Sequence, residues 1–66
     1  MIRIRVNGQE REVAEGETIS GLIGIYNLTP DKVAVEVNRR LVRAAGYGAV
    51  LKEGDEVELV TFVGGG

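Results

Sequence analysis

The strongest constraint on this chain is the Asn7-Gly8 pair, set between two short alternating runs. A two-residue type I′ turn needs positive φ at both central positions, and Asn-Gly meets that need at low steric cost. Before the turn, Ile2, Ile4 and Val6 alternate with Arg3 and Arg5, the period-2 pattern of a half-buried strand. After it, a return strand is expected from Gln9 to Ala14, with Val13 inward and Glu10 and Glu12 outward. Such a hairpin sets Arg3 and Arg5 across from these glutamates, each pair worth about a few tenths of a kcal/mol.

Glu15-Gly16-Glu17 breaks the strand, and Thr18 is a good helix N-cap because its hydroxyl can accept from an orphan backbone N–H. Ile19, Leu22, Ile23 and Tyr26 then fall at i, i+3, i+4 and i+7, one apolar helical face. Gly21 and Gly24 lie inside this helix and each costs ~1 kcal/mol relative to Ala, so tertiary packing must hold it. The simple reading puts both glycines toward solvent; the sharper one has them admit a close partner. Asn27 can end the helix and Pro30 forbids its continuation.

Val33, Val35 and Val37 alternate with Ala34 and Glu36 as a third strand. Asn38-Arg39-Arg40 reads as a turn, Leu41-Val42 as the start of a short fourth strand, and Ala44 to Ala49 as loop. Glu53-Gly54-Asp55 turns the chain into a last strand expected over Glu56 to Val63. The order ββαβ(β)β is best satisfied by an α+β fold, a mixed sheet of four to five strands packed on one helix. With the long apolar last strand central beside the first, this is the β-grasp arrangement.

Composition limits the chemistry such a domain can do. At 66 residues the chain forms one domain, expected to span 1–63 with a flexible 64–66 tail. A domain of this size buries only ~60% of its unfolded surface. It has no Cys and no His, hence no disulfide, thiolate nucleophile, imidazole base or common zinc site. No catalytic residue, metal or intrinsic cofactor is therefore expected. The net charge of −2 argues against nucleic-acid binding, and the one small cluster of Arg39, Arg40 and Arg43 is weak evidence for it. No apolar run is long enough for a membrane helix. The alternating N-terminus lacks the apolar core of a signal peptide, which favours a cytoplasmic location.

The last strand carries the most functional information. Val57 and Leu59 point inward with Glu56 and Glu58 outward, so alternation sends Val60 and Phe62 to the solvent side. Adjacent exposed apolar residues near a chain end suggest a docking patch for another protein; the alternative tucks Phe62 under a loop. The chain closes on Gly64-Gly65-Gly66. Three glycines bring high backbone entropy and no side chains, and so make a poor structural element. Lacking Cβ atoms, they suit a narrow tunnel in a partner's active site, to which they would deliver the Gly66 α-carboxylate.

With this ending the whole chain resembles the ThiS family of sulfur carriers. The resemblance rests on Val6-Asn7-Gly8 with Glu12, Glu15-Gly16-Glu17-Thr18, Val33 to Asn38, Val42, Leu51 to Val60, and the terminal Phe62-Val63-Gly64-Gly65-Gly66. Their order and spacing make it specific. It implies a ubiquitin-like fold, and a ThiF/MoeB-type activating enzyme that uses ATP to adenylate the Gly66 carboxylate. It further implies a sulfur donor protein, typically a persulfide, that displaces AMP to leave a thiocarboxylate, and a thiazole synthase that takes the sulfur for thiamin. Gly64 and Gly65 would thread the partner's site; Val60, Phe62 and Val63 would line the docking surface. The chain departs from the family at Gly21 and Gly24, across Ala44 to Gly48, and at Thr61, where a His is common. A MoaD-like carrier for molybdopterin, and a small modifier or tRNA-thiolation carrier, share the same design. A β-grasp interaction module without terminal chemistry is the alternative from another class.

Overall fold

The computed structural model describes residues 1–62. β1 (Ile2–Val6) and β2 (Gln9–Val13) form the expected hairpin, with φ of 51° at Asn7 and 84° at Gly8, the left-handed pair that a type I′ turn demands. Its register sets Arg3 opposite Glu12 and Arg5 opposite Glu10. The Arg3–Glu12 pair closes to 3.8 Å on the open surface, where such pairs add little stability. The return strand ends at Val13, one residue short of the sequence expectation.

α1 (Ile19–Ile25) has seven residues, far too few to hold as an isolated helix. It persists because both ends are closed and one face is buried. Each of its orphan N–H groups has an acceptor. Thr18 donates to the Glu17 carboxylate (3.2 Å) and Gly21 to the Thr18 hydroxyl (3.0 Å), while Ile19 and Ser20 donate to the carbonyls of Ala49 (3.1 Å) and Tyr47 (2.8 Å). At the other end Asn27 takes φ of 59° and donates to Gly24 (2.9 Å), and Leu28 donates to Ile23 (3.1 Å). That is a Schellman closure with Asn in the glycine position. Ile19, Leu22 and Ile23 are buried against the sheet. Tyr26 is half-buried, with the Arg11 guanidinium 5.0 Å from its ring centre.

β3 (Val33–Val37), β4 (Arg40–Val42) and β5 (Glu56–Thr61) complete a five-stranded mixed sheet in the order β2-β1-β5-β3-β4. β5 is central, parallel to β1 and antiparallel to β3, as expected for a β-grasp fold. The core gathers Ile4, Val6, Leu22, Ile23, Val35 and Val57 between the sheet and the helix. Gly24 is exposed and opens onto free space, as the simple reading has it, whereas Gly21 is half-buried, its Cβ position covered by the Glu17 carboxylate of its own chain.

Three further segments differ from expectation. Arg40, expected in the turn, is the first residue of β4 and pairs with Val37. The last strand ends at Thr61; Val63, its expected terminus, lies outside the described residues. The stretch read as loop contains a 3-10 turn, Ala44–Gly46, that delivers Tyr47 into the core. The Tyr47 hydroxyl donates to the Val33 carbonyl at 3.4 Å. Residues 47–51 then run past the start of α1 and supply its carbonyl caps, and Leu51 joins the core.

Candidate functional site

The site is the outer face of the sheet where β5 ends. Alternation along β5 buries Val57 and Leu59 and turns Glu56, Glu58 and Val60 outward. Phe62 continues the pattern, because its N–H donates to the Lys32 carbonyl (3.0 Å) and keeps the chain on the ladder with β3. Val60 remains 54% exposed and Phe62 57% exposed, so Phe62 is not tucked under a loop.

Cross-strand pairing builds these residues into a patch. Ala34 lies opposite Val60, and Leu41 lies opposite Glu36 on the same face. Leu41 is 60% exposed although it is a large aliphatic residue in a strand. Ala34, Val60 and Phe62 thus form an apolar surface, with Leu41 diagonal to Ala34 across β3 and β4. Its margin is the Glu36–Glu58 pair, two carboxylates directly opposite each other, an arrangement that costs stability in the free sheet. Val60 and Phe62 are legible from alternation in the sequence. The placing of Ala34 and Leu41 near them is not, since it depends on the register of β3 with β4 and β5.

Two asparagines fix the position of β5. The Asn7 side chain accepts from the Leu59 N–H (2.8 Å) and donates to the Leu59 carbonyl (3.3 Å). On the opposite flank, Asn38 accepts from the Glu56 N–H through its side chain (3.0 Å) and donates to the Asp55 carboxylate (3.0 Å). Both asparagines sit in turns at positive φ, 51° and 53°, which brings their amides back over β5. The sequence shows them only as turn formers.

Among the described residues, no group of three His, Cys, Asp or Glu is placed to hold a metal ion, and no helix is long and apolar enough to cross a membrane. Val63, Gly64, Gly65 and Gly66, the other residues expected to act, lie outside the described residues.

Comparison with known proteins bears directly on this geometry. The chain is 42% identical over 66 residues to a thiazole synthase of Magnetococcus marinus and 36% identical to a thiazole synthase of Paramagnetospirillum magneticum. It spans about a fifth of the length of these curated relatives, 98% of this chain against 20% of each of them. The crystal structure of the thiamine biosynthesis protein ThiS from Geobacter metallireducens superposes with a TM-score of 0.81 at 30% identity, covering 98% of this chain and 100% of that one. A ubiquitin-like protein from Caldiarchaeum subterraneum, at 21% identity and a TM-score of 0.51 over 97% of both chains, shares the fold. The ThiS family model matches residues 4–66, from the first buried residue of β1 through the terminal glycines. The chain belongs to the ThiS family.

Proposed function

We propose that the chain is a sulfur carrier whose working group is the Gly66 carboxylate. The observation that carries this reading is the exposed Val60–Phe62 stem, held at the end of the central strand and leading to three glycines. A carboxylate resists nucleophiles until an oxygen is made a leaving group. A ThiF-type partner supplies that step: a Gly66 oxygen attacks the α-phosphorus of ATP, pyrophosphate departs, and an acyl-adenylate remains. The terminal sulfur of a donor persulfide then attacks the acyl carbon and AMP leaves. A second thiol reduces the resulting acyl disulfide, releasing the thiocarboxylate. The carrier contributes no side chain to this chemistry, in keeping with its lack of Cys and His. ATP is bound by the partner.

The apolar patch of Ala34, Leu41, Val60 and Phe62 is the docking surface in this reading, and Gly64 and Gly65 enter the partner's active site without Cβ atoms to obstruct them. Likeness to two thiazole synthases and to a thiamine biosynthesis protein supports thiazole formation as the destination of the sulfur. The test is pyrophosphate exchange by a ThiF-type enzyme with a chain ending at Gly66 and with one lacking Gly65 and Gly66. Exchange only with the former is expected. Equal exchange with both would reduce the chain to a docking module without terminal chemistry.

A further inference from the structure

β1 stops pairing with β5 before β5 ends. In the antiparallel ladder with β3, residues 56, 58, 60 and 62 direct their backbone groups toward β3, as the Glu56–Asn38 and Phe62–Lys32 bonds show. Residues 57 and 59 therefore face the β1 side. The Val57 carbonyl accepts from the Asn7 N–H (2.9 Å), and both backbone groups of Leu59 are taken by the Asn7 side chain. Thr61 is next in this alternation. At Gly8 the chain has already turned away into β2, so among the described residues no strand lies on that side of Thr61. Among the described residues its N–H and C=O have no partner, and the residue is exposed.

An unpaired N–H and C=O beside a finished ladder form a template for an added strand. This one lies beside Phe62 and the apolar patch, so a partner seated on the patch is already alongside it. We propose that Thr61 is a main-chain recognition point, where an extended segment of the activating partner pairs with β5 and continues the line of β1 and Asn7. The idea rests on the carrier reading above and specifies how the partner grips the stem. The amide of Asn7 ends the intramolecular pairing at Leu59 and leaves the next rung free. Recognition at Thr61 would then depend on its backbone and little on its side chain.

Proline separates the two. Thr61→Pro deletes the outward N–H and breaks no bond to β3, whereas Thr61→Ala keeps the N–H and deletes the side chain. With a ThiF-type enzyme and ATP, Thr61→Pro should lower kcat/KM for pyrophosphate exchange about tenfold, the loss of one hydrogen bond with its partner left unpaired, and Thr61→Ala should stay within about twofold of the parent. Equal activity of the two variants overturns the proposal and leaves the carrier reading intact; no exchange with the parent chain removes both. A second measurement avoids any effect of proline on folding. Amide hydrogen exchange at Thr61 should be fast in the free chain and slow about tenfold or more when the enzyme is added, while Val60 and Phe62 are protected in both states. Unchanged exchange at Thr61 in the complex also overturns it.

Discussion

Asn7 is 52 residues from Leu59 in sequence, yet its side-chain amide pairs with both backbone groups of that residue, accepting at 2.8 Å and donating at 3.3 Å. The amide stands in for one more residue of β1 and carries the β1–β5 ladder a step further. It also couples the N-terminal turn to the strand that presents Val60 and Phe62.

Asn7→Gly tests this coupling without disturbing the turn, since glycine accepts the φ of 51°. It leaves the Leu59 N–H and C=O without their partner, and a loss of about 1–2 kcal/mol in urea unfolding is expected. A loss below about 0.3 kcal/mol, within the error of such experiments, would show that water replaces the amide at no cost.

The two helical glycines should respond differently to alanine. Nothing approaches the position of a Cβ at Gly24, so Gly24→Ala should stabilise by about 0.5–1 kcal/mol through helix propensity alone. At Gly21 a Cβ meets the Glu17 carboxylate, which also accepts the Thr18 N–H, so Gly21→Ala should gain less. Equal gains in thermal unfolding would mean that the Glu17 contact contributes nothing to the cap.

Phe62→Ala and Leu59→Ala separate docking from folding. Phe62 is largely exposed, so its loss should change unfolding free energy by under about 0.5 kcal/mol while weakening binding to the activating enzyme about tenfold or more. Leu59 is buried, and its truncation should cost about 2–4 kcal/mol of stability. Calorimetric titration beside chemical unfolding reads both effects. A large stability loss for Phe62→Ala would return that side chain to the core.

Arg39 occupies the second central position of the β3–β4 turn at φ of 68°, where an L side chain is strained. Arg39→Gly should raise stability by about 0.5 kcal/mol, with relief of strain partly offset by greater freedom of the unfolded chain. If stability falls instead, the Arg39 side chain makes a contact worth more than the strain.

The parts of the fold legible in the sequence are those set by local rules. The Asn7-Gly8 turn, the alternation of β1, β3 and β5, the Thr18 cap and the outward direction of Val60 and Phe62 all follow from residues a few positions apart. Tyr47 and the capping carbonyls of residues 47–51 did not. Their role depends on a segment well beyond the helix folding back over its start, as in the Ser20–Tyr47 bond, and no periodicity marks that return. Leu41 and Ala34 join the apolar patch for the same reason: strand register across the sheet brings them there. The second function of Asn7 was hidden behind its first, because a residue that satisfies a turn rule raises no further question in the sequence.

The proposed chemistry lies on one carboxyl group. A chain ending at Gly66, incubated with a ThiF-type enzyme, ATP, a persulfide donor and a thiol reductant, can be followed by intact mass with localisation of any change by fragmentation. The expected products are, first, an AMP adduct on Gly66 and, after sulfur transfer, a Gly66 carboxyl group with one oxygen replaced by sulfur. A Gly66 that stays unmodified while the same enzyme activates an authentic ThiS carrier would contradict the proposed chemistry.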